Sequence, residues 1–139
     1  MNEYRWADLT IGMQETLTIV VDRASVEAFA ALTGDHNPLH VDSDAAREAG
    51  FRDQLVHGLL TTSYYSTLVG VYLPGRYALL QGIDVKFAHP VYPGDTLTVS
   101  GTVVFLSEAV RLAEIAAEIR NGDDVRISKA KIRVGIRER

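Results

Sequence analysis

The chain has 139 residues, 47% of them hydrophobic and 23% charged, which is typical of one globular domain that can bury its own core. It contains no cysteine, and this excludes disulfides, thiolate metal sites and a cysteine nucleophile. A formal net charge of −4 argues against a broad nucleic-acid surface, although a small anion needs only a local basic patch.

The N-terminal stretch MNEYRWADLTIGMQET carries acidic side chains early and has no apolar run, so it does not resemble a signal peptide. No stretch of the chain approaches the roughly 18 apolar residues that a membrane span requires. We therefore expect residues 1–139 to form a single cytoplasmic domain with neither a membrane nor a nucleic-acid partner.

The first half of the chain predicts one strand followed by two helices. Residues Thr16–Val21 are mostly β-branched and predict a strand. Asp22 is a typical N-cap residue, and apolar side chains then recur at helical spacing as far as Leu32. A short helix is predicted over Asp44–Ala49, and Gly50 is expected to end it.

The longest uncharged stretch, HGLLTTSYYSTLVGVYLPG at residues 57–75, predicts a central helix of about four turns. It carries no Asp, Glu, Lys or Arg between Gly58 and Leu73. A helix that is apolar on nearly every side is buried on nearly every side, so we expect other elements to wrap around it.

The second half predicts four antiparallel strands, at residues 77–89, 96–106, 111–120 and 125–136. The third favours a helix by its alanine and glutamate content, but Ile115, Ala117 and Ile119 alternate with polar side chains, so we predict a strand. The Asn-Gly pair at 121–122 is a strong hairpin signal. The fold class is therefore α+β. Because one copy of such a sheet leaves its edges exposed, we expect pairing with a second copy.

Residues 33–40, TGDHNPLH, place a carboxylate and imidazoles close together in the chain. The residue before a proline is pushed out of the α region, so the helix should end there and leave irregular backbone between Asp35 and His40. Facing one small volume, these two side chains would form a general acid–base pair. The alternative is that Asp35 and Asn37 only form a turn and that His40 is packed or exposed.

The histidines also raise the alternative of a metal site. His36 and His40 are four residues apart, and His57 could join them. Paired histidine ligands at this spacing rely on a continuous helix, which Pro38 interrupts, and the chain offers no glutamate helix motif and no cysteine. We therefore favour acid–base chemistry over metal binding.

His57 and Gly58 open the predicted central helix. The first N–H groups of a helix are unpaired and carry a partial positive charge, and glycine lets a substrate approach them closely. This arrangement would suit an oxyanion hole for a developing enolate. A plain helix start with a flexible residue is an equal alternative.

Hydroxyl groups on the same helix are further candidates. Ser63 and Ser66 need partners if they are buried, and either Asp35 or Thr62 could serve Ser66. A nucleophilic serine is not expected, because the chain has no G-x-S-x-G elbow. Tyr65 is expected in the core or in the lining of an apolar tunnel.

Three sequence blocks carry a family resemblance. The first comprises Phe29, Leu32 and the run TGDHNPLH with Ala46 behind it, the second is VHGL at 56–59, and the third is FAHPVYPGD at 87–95. These blocks resemble the MaoC-like, (R)-specific enoyl-CoA hydratase family of the hot-dog superfamily. The resemblance spans about residues 16–101. It implies a single hot-dog fold, a long central helix wrapped by a curved antiparallel sheet, acting as a homodimer.

The resemblance also implies a reaction. Asp35 and His40 would activate water to add to a trans-2-enoyl thioester, giving the (R)-3-hydroxyacyl product, or would catalyse the reverse dehydration. The Gly58 N–H would polarise the thioester carbonyl, and Ser66 would orient Asp35. We add as substrate-binding candidates Asn37, His57, Leu59, Ser63 and Tyr65. No metal or redox cofactor is implied, since coenzyme A or the phosphopantetheine of an acyl carrier protein is part of the substrate.

Two other functions remain open from the sequence. Hot-dog thioesterases resemble one another in placing a catalytic carboxylate on or beside the central helix, and the stretch from Gly58 to Leu73 has none. A non-catalytic acyl-binding or scaffold protein would keep the fold without turnover, but the intact set of candidate catalytic residues argues against it. Candidates for phosphate contacts are Arg47, Arg52, Arg76 and Lys86, although ordinary surface charge is the commoner role of such residues.

Overall fold

The computed structural model describes residues 1–138 and contains one antiparallel sheet, four α-helices and a short 3-10 helix at Trp6–Asp8. The strands are β1 (Gln14–Val20), β2 (Ala78–Phe87), β3 (Thr96–Ser107), β4 (Leu112–Arg120) and β5 (Arg126–Ile136). The helices are α1 (Arg23–Thr33), α2 (Pro38–Val41), α3 (Ser43–Glu48) and α4 (Gly58–Thr67), and α4 continues as a π-helical segment over Leu68–Tyr72. The predicted α+β class is confirmed.

The strands lie in the order β1-β3-β4-β5-β2, and every neighbouring pair is antiparallel. Strand β2 precedes β3 in the chain but lies beside β5 at the opposite edge from β1. The sequence predicted these strands without this order, because alternation shows which side chains face the core and says nothing about which strands are neighbours. The two edges of the sheet are β1 and β2.

Strand β4 confirms the prediction made against its helix propensity. Ile115, Ala117 and Ile119 are buried. The polar residues that alternate with them are half-buried on the other side of the sheet: Glu114, Glu118 and Arg120. Burial of alternate side chains therefore outweighed the intrinsic preference of alanine and glutamate for helix.

The connection from β4 to β5 is the predicted hairpin, but it is longer than an Asn-Gly turn. The Asn121 N–H donates to the Val125 carbonyl at 3.0 Å, and the Asn121 side-chain oxygen accepts the N–H groups of Asp123 and Val125. The residue with positive φ is Asp124, at 59°, rather than Gly122. Asn121 thus acts as a local acceptor that closes a wider loop.

Small residues let the central helix sit close to the sheet. A Cβ at Gly101 would lie 2.8 Å from Leu68 Cδ2 and 2.9 Å from Ile115 Cγ2, so this position of β3 accepts only glycine without a shift. Ala117 of β4 lies opposite Gly101 in the strand register, and its small side chain also leaves room for the helix. Leu68, which follows α4, is fully buried and lies next to Gly101.

One side of the central helix is exposed in the single chain. Its residues recur three or four positions apart and are uncharged: Leu59, Ser63, Ser66 and Gly70. The expectation that the helix is buried on nearly every side is therefore wrong for one copy, because a single five-stranded sheet covers only the opposite side. No helix within residues 1–138 is long and apolar enough to cross a membrane.

Candidate active site

Two capping signals shape the segment between α1 and α3. Gly34 ends α1 in the left-handed region, with φ of 78°. Asn37 then caps α2, since its side-chain oxygen accepts the Leu39 N–H at 3.0 Å and Pro38 occupies the first helical position. The predicted irregular backbone is thus corrected to a short helix that carries His40. Asn37, expected to bind substrate, uses its side-chain oxygen for this cap.

The backbone fixes the ring of His40. Its Nδ1 lies 2.9 Å from the carbonyl oxygen of Leu55, which can only accept, so Nδ1 carries the proton in the neutral ring. The Leu55 N–H in turn donates to the Leu39 carbonyl at 2.7 Å. The lone pair of neutral His40 is therefore on Nε2, which makes this nitrogen the basic atom of the site.

His57 lies directly against His40. The two rings stack with centroids 3.9 Å apart, and the ring of Phe29 lies on His57 at 4.8 Å. The His57 Nε2 is 3.0 Å from the backbone carbonyl oxygen of Asp35, to which it donates. Only 2% of His57 is exposed, so the expectation that it binds substrate is corrected. It holds Asp35 and His40 in place instead.

The Asp35 carboxylate is exposed and lies close to the two imidazoles. Its Oδ1 accepts the Asn37 N–H at 3.2 Å, in an Asx turn. Ligand-type atoms of Asp35, His40 and His57 all lie within 4.8 Å of one another. The acid and the base that the sequence predicted as a pair are thus side by side in the fold.

The same three residues are the candidate metal ligands within residues 1–138. A metal ion lies in the plane of each imidazole that binds it, about 2 Å from the nitrogen. The rings of His40 and His57 are stacked at an interplanar angle of 25°, so their nitrogens do not converge on one point. In addition, Nδ1 of His40 and Nε2 of His57 are engaged with carbonyl oxygens. This geometry disfavours joint metal binding.

The N-terminus of α4 opens onto a pocket of about 300 Å³. Its lining includes His40, Gly58, Thr61, Phe87, His89 and Val91. The backbone N–H groups of Gly58 and Leu59 have no acceptor in the described part of the chain. A Cβ at Gly58 would lie 3.1 Å from the ring of Phe87, so glycine keeps this side of the pocket open.

Sequence reasoning assigned no role to two residues of the pocket wall. Phe87 comes from the end of β2, and His89 follows it with Nδ1 at 3.0 Å from the Arg126 carbonyl. Phe87 had a signal, since it begins the third block of the family resemblance. His89 had none, because nothing in its local sequence brings it near His40.

The hydroxyl candidates of α4 have separate locations. Tyr65 is 1% exposed, its hydroxyl lies 2.8 Å from Ser128 Oγ, and burial raises its pKa to about 12. Tyr65 therefore belongs to the core, which corrects its expected contact with substrate. Ser63 is exposed and donates to the Leu60 carbonyl of its own helix. Ser66 is also exposed, and within residues 1–138 it makes no hydrogen bond to Asp35, so its orienting role stays a prediction.

Polar contacts anchor the loop that leads into α4. Arg23, at the start of α1, donates to Asp53 and to Gln54, each at 2.7 Å. The Ser43 hydroxyl donates to the other Asp53 oxygen at 2.8 Å, and this hydrogen bond is the main cause of a lowered pKa of Asp53. Helices α1 and α3 thereby hold the segment that presents His57.

Sequence comparison places these features in a family. The model of the MaoC like domain matches residues 9–126. An (R)-specific enoyl-CoA hydratase of Aeromonas caviae is 37% identical over 111 residues, which cover 80% of this chain and 83% of the relative. A 3-hydroxybutyryl-CoA dehydratase of Methylorubrum extorquens is 34% identical over 118 residues, covering 85% of this chain and 75% of the relative.

Solved structures agree with the sequence matches. The (R)-hydratase of A. caviae involved in PHA biosynthesis superimposes with a TM-score of 0.88 at 33% identity, covering 92% of this chain and 97% of that one. An unliganded R-hydratase of Pseudomonas aeruginosa gives a TM-score of 0.91 at 25% identity, covering 97% and 86%. These solved structures therefore show that the chain has the hot-dog fold of the (R)-hydratases, as the resemblance implied.

The chain belongs to the MaoC-like domain family. The relatives above are by name hydratases and a dehydratase, which are hydro-lyases. The enzyme class that the sequence predicted is thus confirmed at the level of the family.

Proposed function

We propose that the protein catalyses the (R)-specific hydration of trans-2-enoyl thioesters to (R)-3-hydroxyacyl thioesters, or the reverse dehydration. The observation that carries this proposal is the convergence of the Asp35 carboxylate and the His40 imidazole, within 4.8 Å, beside the start of α4. Addition of water to an activated double bond needs an acid–base pair next to donors for the charge that develops.

In the proposed reaction Asp35 and His40 act on one water molecule. Because Nδ1 of His40 is engaged with Leu55, Nε2 is the atom that takes a proton from the water. The Asp35 carboxylate holds the water and balances the imidazolium charge while hydroxide adds to the β-carbon. The imidazolium then delivers a proton to the α-carbon, so the product gains one whole water and the reaction needs no metal or redox cofactor.

Negative charge develops on the thioester carbonyl oxygen during this addition. We assign its stabilisation to the free N–H groups of Gly58 and Leu59 and to the positive end of the helix dipole, a contribution of about 3–4 kcal/mol. Helix α4 contains no carboxylate that could activate water for hydrolysis of the thioester. This absence of a carboxylate favours hydration over a thioesterase reaction.

We further propose that the active form is a homodimer. The edge strand β2 exposes four apolar side chains in the single chain: Leu79, Leu80, Ile83 and Phe87. An exposed apolar edge strand is a template for pairing, and a second copy is the partner that a symmetric contact would use. Since Phe87 also forms a wall of the pocket, such pairing would help to close the site. The proposed substrates are acyl-CoA or acyl-carrier-protein thioesters, and the proposed location is the cytoplasm.

Purified protein is expected to hydrate crotonyl-CoA, followed as loss of absorbance of the enoyl thioester. Asp35→Asn or His40→Ala should lower kcat/KM by about two orders of magnitude or more, because each removes half of the acid–base pair. Circular dichroism should show an unchanged fold. Release of free coenzyme A with the double bond intact would indicate a thioesterase. Binding of acyl thioesters without turnover would indicate a scaffold protein.

A further inference from the structure

All three lysines of the chain line one depression of the sheet surface. Lys86 lies on β2, whereas Lys129 and Lys131 lie on the neighbouring strand β5. Ser128 faces α4 through its bond to Tyr65, so strand alternation turns Lys129 to the other side of the sheet. The depression measures about 430 Å³, and Arg126 adds a fourth cation to its lining.

Two carboxylates also line this depression: Asp84 lies opposite Lys131 and Glu118 lies opposite Lys129 in the strand register. The four cations outnumber them. Lys86 and Lys129 lie directly opposite each other, an arrangement of like charges that destabilises a sheet. Within residues 1–138 none of the three lysines has a carboxylate within ion-pair distance. Glu118 lines the same depression, but it is paired with Arg120 at 2.9 Å. Although the net charge of the chain is −4, its three lysines lie together in this depression, where a bound anion would neutralise them.

The depression and the active-site pocket lie on opposite sides of the sheet, at the shared end where β2 finishes and β5 begins. Phe87 and Ile127 line the active-site pocket, and the residues immediately before them, Lys86 and Arg126, line the depression. His89, a further residue of the pocket, is bonded to the Arg126 carbonyl. A long substrate at this end of the sheet can therefore contact both regions around the ends of β2 and β5.

We propose that the depression binds the phosphate groups at the nucleotide end of a coenzyme A thioester whose acyl end occupies the pocket beside His40. This inference rests on the proposed function and names its substrate class. Coenzyme A carries a diphosphate and a further phosphate, whereas the arm of a carrier protein carries a single phosphate. The several negative charges of coenzyme A therefore match a site with four cations better. The volume lies in the range of about 300–1,000 Å³ typical of small-molecule sites, and lysine is a common point-charge partner of phosphate.

The test uses two substrates that differ only in the nucleotide end, crotonyl-CoA and crotonyl-pantetheine. In the variant Lys86→Gln/Lys129→Gln, KM for crotonyl-CoA should rise about tenfold with kcat nearly unchanged, because two charged contacts to phosphate are lost. KM for crotonyl-pantetheine should stay the same. Added salt should raise KM of the unaltered protein for crotonyl-CoA only, since salt screens charge.

Arg133→Gln is the matched control, because Arg133 lies on the same side of β5 but outside this depression. It should leave both KM values unchanged. An unchanged KM in the lysine variant, or an equal rise for both substrates, would overturn the proposal. So would a loss confined to carrier-protein substrates, which would make the lysines a protein-docking surface.

A failure of the proposed function is distinguishable from a failure of this inference. If the unaltered protein hydrates neither substrate, calorimetry with adenosine 3′,5′-bisphosphate tests the depression by itself. Binding that is lost in the lysine variant and kept in Arg133→Gln would support the phosphate site. Absence of binding to the unaltered protein would overturn it.

Discussion

At the scale of single residues, His57 combines a flat aromatic ring with a hydrogen-bond donor. Its flat ring fills the space between Phe29 and His40, and its Nε2–H donates to the Asp35 carbonyl. Its other nitrogen, Nδ1, is buried without a hydrogen-bond partner in the described part of the chain. A buried nitrogen without a partner lowers the stability of the fold. We attribute its presence here to the contacts of the ring with both members of the candidate acid–base pair.

Two substitutions separate these properties. His57→Phe keeps a flat ring and loses the donor, so we expect kcat/KM to fall about tenfold while most of the stability is kept. His57→Ala also leaves a cavity and should lower the free energy of unfolding by about 2–4 kcal/mol. Hydration assays and urea unfolding measure the two effects. His36→Ala changes an exposed histidine in the same segment and should alter neither quantity. Full activity in His57→Phe would contradict the positioning role.

At the scale of elements, the start of α4 combines a helix terminus with a glycine. The N–H groups there are free because the helix has no preceding turn to supply acceptors. A methyl group at Gly58 would press on the ring of Phe87, 3.1 Å away, and would cover the approach to these donors. The requirement for glycine therefore comes from the pocket, since alanine is the better helix former.

Gly58→Ala should thus lower activity without lowering stability, because the Phe87 ring is 53% exposed and has room to shift away from the added methyl group. We expect kcat/KM to fall about 100-fold, as for loss of an oxyanion donor, while the melting temperature is kept or raised. Gly122→Ala, at an open position of the β4–β5 hairpin, is the control. The double variant Gly58→Ala/Phe87→Leu relieves the crowding. If it regained full activity, the loss would come from displacement of Phe87 and not from blocked N–H groups.

The buried hydrogen bond between Tyr65 and Ser128 fastens α4 to β5. Tyr65→Phe leaves the Ser128 hydroxyl buried without its partner, so the free energy of unfolding should fall by about 1–3 kcal/mol. Adding Ser128→Ala should restore part of this loss, because no unpaired hydroxyl then remains. KM for crotonyl-CoA should not change. A raised KM in Tyr65→Phe would show that Tyr65 contacts substrate after all.

The same tyrosine predicts how stability depends on alkaline pH. Its pKa is raised from 10.0 to about 12, so the fold favours the neutral phenol. The unfolded chain loses this proton at a lower pH than the folded one. The stabilisation is therefore complete below pH 10 and is lost as the pH rises towards 12. Urea unfolding between these pH values should show a smaller decline for Tyr65→Phe than for the unaltered protein.

At the scale of the whole molecule, the exposed apolar edge of β2 predicts the oligomeric state. Ile83→Lys places a charge in this edge and should convert the proposed dimer into a monomer with reduced hydration activity. Light scattering after gel filtration measures the mass. Val104→Lys, at a similarly exposed aliphatic residue of β3, should remain dimeric. A monomeric mass for the unaltered protein would contradict the dimer.

Much of the fold could be predicted because its signals are local. Asp22 and Gly34 mark the ends of α1, and the alternation of Ile115, Ala117 and Ile119 marks β4. Helix α2 does not follow from the pattern alone, because an Asn-Pro pair that ends one helix can also start another, with asparagine as N-cap and proline in the first turn. The exposed side of the central helix is not evident from the sequence, because its residues carry no charge that would mark them as facing solvent.

The sequence by itself determined the α+β class, the strands and the helices other than α2, and it supplied Asp35 and His40 as candidates, since caps, periodicity and a short motif lie within a few residues of one another. The tertiary structure decided the strand order, the support of Asp35 and His40 by His57, and the neighbourhood of Phe87, His89 and the lysines. These contacts join residues far apart in the chain. They depend on which surfaces pack together, and packing is settled only when the whole core forms.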